Sequence, residues 1–217
     1  MGEAEINHDS GELIICAVLF FYGNAANESL SQEIAADIAA HWNEPEGTIL
    51  LNRRPYRIRF DIKGRYAPQL TPQDVYENTD PRNNYFRIEA YAENKISFVD
   101  GIGCNTGYFK LDNLLDHSTT AAHEFGHTIG LEHPEILDIR GYGTPGIMYP
   151  RGTIVDPPFQ WNPHAKLGEP GDTMNPFTRK VLQRDIENLK LQRLRFNSHG
   201  LAIVGEFSSV WHDAHQP

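Results

Sequence analysis

The stretch HEFGHTIGLEH, at positions 123–133, determines more of the expected structure than any other part of this 217-residue chain. On an α-helix, residues four positions apart share one face, so His123 and His127 can direct their imidazoles at a common point. Gly130 ends such a helix by adopting positive φ, which lets the backbone turn back. His133 then follows His127 closely enough to close a third position around the same point.

This arrangement of imidazoles predicts a metal site. Three neutral imidazole nitrogens with one open position are typical of catalytic Zn²⁺, whereas structural zinc sites fill all four positions with protein ligands. Glu124 lies next to the first predicted ligand, where its carboxylate can take a proton from a metal-activated water. The sequence therefore predicts one catalytic Zn²⁺ held by His123, His127 and His133, with Glu124 as general base. Five fixed positions would recur by chance on the order of once in ten thousand such chains, which argues against ordinary histidines.

The same eleven residues resemble the zinc signature of the metzincin clan of metallopeptidases, HExxHxxGxxH followed by a Met-turn. The Met-turn candidate is GIMYP at 146–150, and the resemblance implies that Met148 forms an apolar floor beneath the metal without coordinating it. Met174 is a second candidate for this position. The resemblance also implies that Asp185 supports the backbone of the Met-turn, with a solvated helix charge as the alternative.

Features of two metzincin subfamilies occur together. The dipeptide at 133–134, His-Pro, resembles serralysins, whereas IMYP at 147–150 resembles matrixins. Serralysins and astacins place a zinc-binding tyrosine two residues after the methionine, where this chain has Pro150, so no tyrosine ligand is expected. The sequence contains neither the calcium repeats that follow serralysin domains nor a matrixin-type cysteine switch. Calcium binding has no support, because no EF-hand-like spacing occurs.

The first half of the chain predicts a central strand and a helix. Residues 1–11 are polar and predict a loose segment, and the apolar run at 12–23 predicts a strand buried on both faces. A helix is predicted at 30–42, because apolar residues recur at four-residue spacing and Ser29 with Gln32 forms a capping-box pattern. The sequence NEP at 43–45 ends it.

The remaining predicted elements define the fold class. Strands are predicted at 56–62, 85–91, 95–99 and 103–111, helices at 118–129 and 178–194, a mainly irregular segment at 131–177, and a short closing strand at 201–207. This order predicts an α/β (α+β) fold of zincin-like type. Its twisted, mixed five-stranded sheet packs on an active-site helix, the helices lie on one side, and a C-terminal helix follows the Met-turn. The catalytic domain is expected at 12–195, and a C-terminal extension that could add a short strand at 196–217.

The segment at 103–111 is the predicted substrate edge. Its glycines loosen a strand, as at the edge of a sheet. Such an edge can accept an extended peptide as an added strand, and metzincins use one in this way. Substrate contacts are therefore predicted at Gly103, Cys104, Asn105, Thr106, Gly107, Tyr108 and Phe109, with a poorly ordered hairpin as the alternative. Phe159 and Trp161, in the loop at 151–175, either wall the pocket or pack the loop onto the body.

Composition excludes several other classes of protein. The formal charge of −10 argues against a nucleic-acid partner. No run of about eighteen apolar residues occurs, so no membrane span is expected. The apolar run at 13–22 lacks the basic flank and the cleavage site of a signal peptide. Two reduced thiols are favoured at Cys16 and Cys104 over a disulfide.

The motif and the resemblance together imply a monomeric zinc-dependent endopeptidase that acts on protein or peptide substrates. One alternative is a non-catalytic, zinc-bound module that captures peptides on the same cleft. Another is a zinc amidase that acts on a cell-wall-type substrate. The intact Glu124 favours either enzyme over the binding module. A weak resemblance of the tail at 195–217 to toxin-like modules of bacterial export systems implies secretion or delivery outside the producing cell.

Overall fold

The computed structural model describes residues 1–93, 95–116 and 118–216. Within these ranges the chain forms eight strands and four α-helices. The strands are β1 (Gly2–Asn7), β2 (Glu12–Tyr22), β3 (Thr48–Leu51), β4 (Arg54–Tyr66), β5 (Asn83–Glu89), β6 (Phe98–Val99), β7 (Thr106–Lys110) and β8 (Leu201–Val204). The helices are α1 (Glu28–Asn43), α2 (Pro72–Tyr76), α3 (Thr120–Thr128) and α4 (Gln183–Asn188). The prediction of a mixed α/β fold is confirmed.

All eight strands belong to one curled, mixed sheet, so the prediction of five strands is wrong. The main path runs β3-β4-β2-β5-β7-β6, and β1 pairs with both β2 and β8. Strand β2 is central, as its apolar run predicts, and it pairs in parallel with β4 and β5. Strand β7 is parallel to β5, whereas the short β6 is antiparallel to β7. Among the described residues, β6 therefore forms one end of the path.

The alternation of side chains along β2 divides the core between the two faces of the sheet. Its odd-numbered residues, from Leu13 to Phe21, are buried in the main core together with apolar residues of α1 and α3. Tyr22 instead joins a second cluster with Val75 of α2, and Trp211 packs against this cluster. The prediction that all helices lie on one side is therefore wrong for α2, because its one buried apolar side chain covers the opposite face.

Several predicted boundaries also need correction. Residues 2–7 are not loose but form β1, which pairs on both sides. Helix α1 begins earlier than predicted because Asn27 is its N-cap and accepts from the backbone of Leu30 at 3.0 Å. The helix predicted at 178–194 is reduced to α4, which ends before Lys190 adopts a left-handed conformation with φ 51°.

The C-terminal extension contacts the body as far as His215, and residue 217 lies outside the described residues. Strand β8 falls within the predicted closing strand. Trp211 then stacks on Tyr22 with ring centroids 4.6 Å apart, and His212 lies 2.9 Å from the carboxylate of Asp100. The described helices include none that is long and apolar enough to cross a bilayer.

Candidate metal centre and adjoining cavity

Helix α3 positions two of the three histidines. It is fixed to α1 by Trp42, whose indole N–H donates to the carbonyl of Ala122 at 3.0 Å. The helix ends just before Gly130, which has φ 103°, as the sequence predicts. The backbone N–H of Leu131 then bonds to the carbonyl of Gly126 at 2.9 Å, so the chain turns back over the last turn of the helix. This turn brings His133 to the face that carries His123 and His127.

The three imidazoles converge through their Nε2 atoms. His133 Nε2 lies 3.0 Å from His123 Nε2 and 3.0 Å from His127 Nε2. The Nδ1 atom of His123 lies 2.7 Å from the carbonyl of Ile147, and that of His127 lies 2.7 Å from the carbonyl of Leu131. Because a carbonyl can only accept, both Nδ1 atoms carry the proton, and both Nε2 atoms present a lone pair.

This donor set fits a metal ion. His133 can donate a proton to only one of the other two Nε2 atoms, so one close nitrogen pair must bring two lone pairs together unless a cation lies between them. Tetrahedral Zn²⁺, with bonds of roughly 2.0–2.1 Å, requires nitrogens about 3.3 Å apart, close to the observed spacing. The cluster His123, His127 and His133 is therefore close enough to bind a metal ion.

Burial and a nearby positive charge also favour the neutral form of the three imidazoles. Burial lowers the pKa of all three histidines, most strongly that of His123, and the positive charge of Arg179 lowers each of them further. Neutral imidazole is the form that binds metals. Solvent exposure increases from one histidine to the next: His123 is buried, His127 is half-buried and His133 is exposed. The exposed side of the cluster is where a ligand can approach.

Glu124 is buried beside the cluster, with 8% of its surface exposed. Burial raises the pKa of Glu124 to about 8, and this outweighs the opposing effects of Arg179 and of a hydrogen bond with the backbone of Val99. A divalent cation at the imidazoles would add a positive field that lowers this pKa again. Glu124 does not belong to the cluster of three histidines that could hold a metal ion.

Two buried residues, Met148 and Asp185, contact the parts of the chain that position the histidines. Met148 is 2% exposed, and a Cβ built on Gly126 of α3 would lie 2.2 Å from its sulfur, so the side chain packs directly under the helix. Met174 lies in a different cluster, with Ile139 and Val155. Asp185 is buried, not solvated; its carboxylate accepts from Leu182 N at 2.8 Å and from the backbone of Ile147.

Ile147 connects Asp185 with His123. Its carbonyl holds the Nδ1 proton of His123, while its backbone is held by Asp185. Asp185 thus acts on the orientation of His123 through a single intervening residue. Such outer partners fix the tautomer and the ring orientation of metal-binding histidines.

Comparisons with protein-family models and with curated proteins gave no match. Assignment of the chain to the metzincin clan therefore rests on its own residues and stays a prediction.

A cavity of about 530 Å³ lies against the cluster and Glu124. One wall consists of β6 and the residues before it, from Ile96 to Val99, and continues through Gly101 and Ile102. Pro150 and Arg151 contribute from the segment after Met148. The cavity combines an apolar wall with a metal-binding cluster, which suits a ligand that is partly apolar.

A strand forms within the predicted range 103–111, but its predicted position at an edge of the sheet is wrong. Strand β7 lies between β5 and β6, and residues Gly103 to Phe109 are buried except for the half-buried Cys104. None of these seven residues lines the cavity. Gly107 does not loosen an edge: a Cβ there would lie 2.4 Å from the carbonyl of Phe98 and 2.8 Å from the ring of Phe86, so the glycine permits close packing.

The loop aromatics also lie away from the cavity. Phe159 packs against the cluster that contains Met174, and Trp161 is exposed beside Phe177. The alternative in which the aromatics pack the loop is therefore supported for Phe159. Cys16 and Cys104 are both free thiols, as predicted.

Sequence reasoning missed Arg179, which lines the cavity although it is only 4% exposed. It falls at the start of the predicted helix at 178–194, where an arginine indicates a solvent-exposed position. The structure instead places it after a short 3-10 turn, Pro176–Thr178, with its side chain directed at His123. No sequence signal identifies this residue, because its burial depends on contacts with distant parts of the chain.

Proposed function

We propose that the chain is a zinc-dependent endopeptidase of zincin-like fold. The observation that carries this proposal is the convergence of three Nε2 atoms at 3.0 Å beside a buried glutamate that is not one of the ligands. His123, His127 and His133 would hold the ion. When bound, Zn²⁺ supplies Lewis acidity towards water and towards the peptide carbonyl.

Glu124 carries the proton in this proposal. Its carboxylate oxygen accepts a proton from the attacking water and delivers it to the leaving amine nitrogen. Its burial favours this task, since it strengthens the affinity of the carboxylate for a proton relative to an exposed glutamate. The bond between Glu124 and the backbone of Val99 fixes the carboxylate at the wall where a substrate would bind.

Strand β6 replaces the predicted edge as the proposed peptide-binding element. It is the last strand of the main path in the described sheet, and its residues Phe98 and Val99 line the cavity. An extended peptide can bond to the outer edge of such a strand while its side chains enter the neighbouring cavity. This placement supports a peptide substrate over a small amide.

The proposal is tested with zinc-loaded protein and an unfolded protein substrate. We expect cleavage that a chelator abolishes and that added zinc restores. Glu124→Gln should lower kcat/KM by about 10²- to 10⁴-fold, because general acid–base catalysis is lost, while the zinc content stays unchanged. The matched control is Glu132→Gln, which changes an exposed glutamate within the same eleven residues.

Two outcomes would contradict the proposal. Cleavage that survives Glu124→Gln would remove the proposed proton carrier. Stoichiometric zinc without cleavage of any peptide would favour the non-catalytic binding module or the amidase.

A further inference from the structure

Arg179 is a buried cation at the wall of the cavity, and the described part of the chain gives it no ion-pair partner. Its side chain is 4% exposed, and no described carboxylate forms an ion pair with it within 4.0 Å. The carboxylate of Glu124 lies farther away, and its negative charge favours the charged form of Arg179 by raising the pKa of the guanidinium. Buried charges are normally paired, because removing a charge from water is costly. A charge held in this way indicates that its partner comes from a ligand.

The hydrogen bonds of the guanidinium leave a donor unused. Its Nε donates to Thr119 Oγ1 at 3.0 Å and its Nη2 to the same oxygen at 2.8 Å. Nη1 donates to the carbonyl of Tyr149 at 3.1 Å. Nη1 also lies 2.9 Å from His123 Nδ1, which cannot accept, because its proton points at the carbonyl of Ile147.

A guanidinium has five N–H groups, of which two each lie on Nη1 and Nη2. Nη1 faces both the carbonyl of Tyr149 and the ring of His123, whereas one N–H of Nη2 has no acceptor among the described residues. This N–H can donate to a carboxylate oxygen, and the positive charge of the guanidinium strengthens such a bond. Thr119 and Tyr149 hold the guanidinium fork in place, so this donor is preorganised.

The rest of the cavity agrees with an anionic ligand group. The residues that line it include a second cation, the exposed Arg151, and a single carboxylate, Glu124. Ile96, Val99 and Ile102 provide apolar surface for the carbon atoms of the ligand.

We propose that Arg179 determines specificity by binding a carboxylate of the substrate next to the bond that is cut. This inference rests on the proposed peptidase function. The carboxylate comes either from an aspartate or glutamate side chain beside the scissile bond or from the α-carboxylate at the end of a peptide. Both sources present the same pair of oxygens, and experiment separates them.

The test uses short labelled peptides that carry Glu or Gln at each position in turn, each made as the free acid and as the C-terminal amide. Cleavage is measured with zinc-loaded wild type. Binding is measured separately, by fluorescence anisotropy, with zinc-loaded Glu124→Gln protein. We expect the Glu peptide to exceed the Gln peptide by about 10- to 100-fold at one position, as for hydrogen bonds to a charged group. A preference of the free acid over the amide, without a Glu preference, would assign the α-carboxylate.

Variants then assign the preference to Arg179. Arg179→Met should abolish it, and Arg179→Lys should restore only part of it, because lysine keeps the charge but lacks the fork. Lys180→Met is the matched control: it removes an exposed cation next to Arg179 that does not line the cavity, and it should change the preference by no more than about threefold, since exposed charges are screened. Zinc content and thermal unfolding of each variant show whether it is folded.

The two proposals fail in distinguishable ways. Cleavage without any carboxylate preference overturns the role of Arg179 and leaves the peptidase intact. Carboxylate-selective binding without cleavage overturns the peptidase and supports Arg179. If Arg179→Met does not fold, the absence of any Glu or free-acid preference in wild type would still overturn the inference, and its presence, reduced in folded Arg179→Lys, would support it.

Discussion

Gly126 lies between two of the proposed metal ligands on α3, and we expect its substitution by alanine to destabilise the protein. A Cβ at this position would lie 2.2 Å from the sulfur of Met148, 3.1 Å from its terminal methyl carbon and 3.2 Å from Cζ2 of Trp42. A Cβ atom essentially never lies within 3.0 Å of another non-bonded heavy atom in a folded protein, so Met148 must move. Met148 is 2% exposed and belongs to the main core, which leaves little space for that movement.

Two opposing effects set the size of the change. Adding a methyl group to a well-packed core costs about 1–3 kcal/mol. Replacing a glycine within a helix by alanine stabilises the helix by about 0.5–1 kcal/mol. Gly126→Ala should therefore lower the free energy of unfolding by roughly 0.5–2 kcal/mol. In a Met148→Ala background the closest contact is gone, and the same substitution should be neutral or stabilise by up to about 1 kcal/mol.

The assay is urea unfolding of the four proteins of a double-mutant cycle, without metal. The control is Gly130→Ala, in which a residue with φ 103° and no atom within 4 Å of the added Cβ is changed. Its cost comes from backbone strain, so it should be the same with Met148 or Ala at position 148. An equal effect of Gly126→Ala in both backgrounds, or a stabilised single variant, would refute the packing of Met148 against α3.

Two further predictions concern other groups. Asp185→Asn should weaken zinc binding by roughly 10- to 100-fold in competition with a chelating dye, because the support of Ile147 and hence of His123 is weakened. Glu187→Gln, an exposed position on the same helix, is its control, and equal affinities in all three proteins would contradict the role. Burial raises the pKa of both thiols, so alkylation by iodoacetamide at neutral pH should be slower in the folded protein and should speed up as the pH rises. Failure of either thiol to react after unfolding without reductant would indicate a disulfide.

The parts of the structure that the sequence predicts well depend on local geometry. His123 and His127 share a face because a helix repeats every 3.6 residues, and Gly130 ends that helix because it alone adopts the required φ without strain. The central position of β2 follows from an unbroken apolar run, which only a strand covered on both faces can bury. These features are set within about ten residues of chain and need no knowledge of the rest of the fold.

The features that the sequence does not predict depend on distant partners. The sequence predicts a strand at 95–99 but not which strand it pairs with, so the pairing of Phe98–Val99 with β7 is missed and Gly107 is assigned to an edge. The polar segment at 2–7 forms a strand because β2 and β8 supply backbone partners on both sides. Arg179 is buried only because Thr119, Tyr149 and Pro176 surround its guanidinium.

The pairing of β1 with β8 affects how the protein folds during synthesis. The register joins Glu3 to Ile203, so most of the chain must leave the ribosome before this pair can form. Until then, β1 exposes a row of unpaired backbone groups, and such edges promote association between chains. Contacts between residues so far apart in sequence also slow folding. Completion of the sheet is therefore expected to be a late step of folding, and a nascent chain that lacks residues 201–204 exposes a strand edge that the finished protein covers.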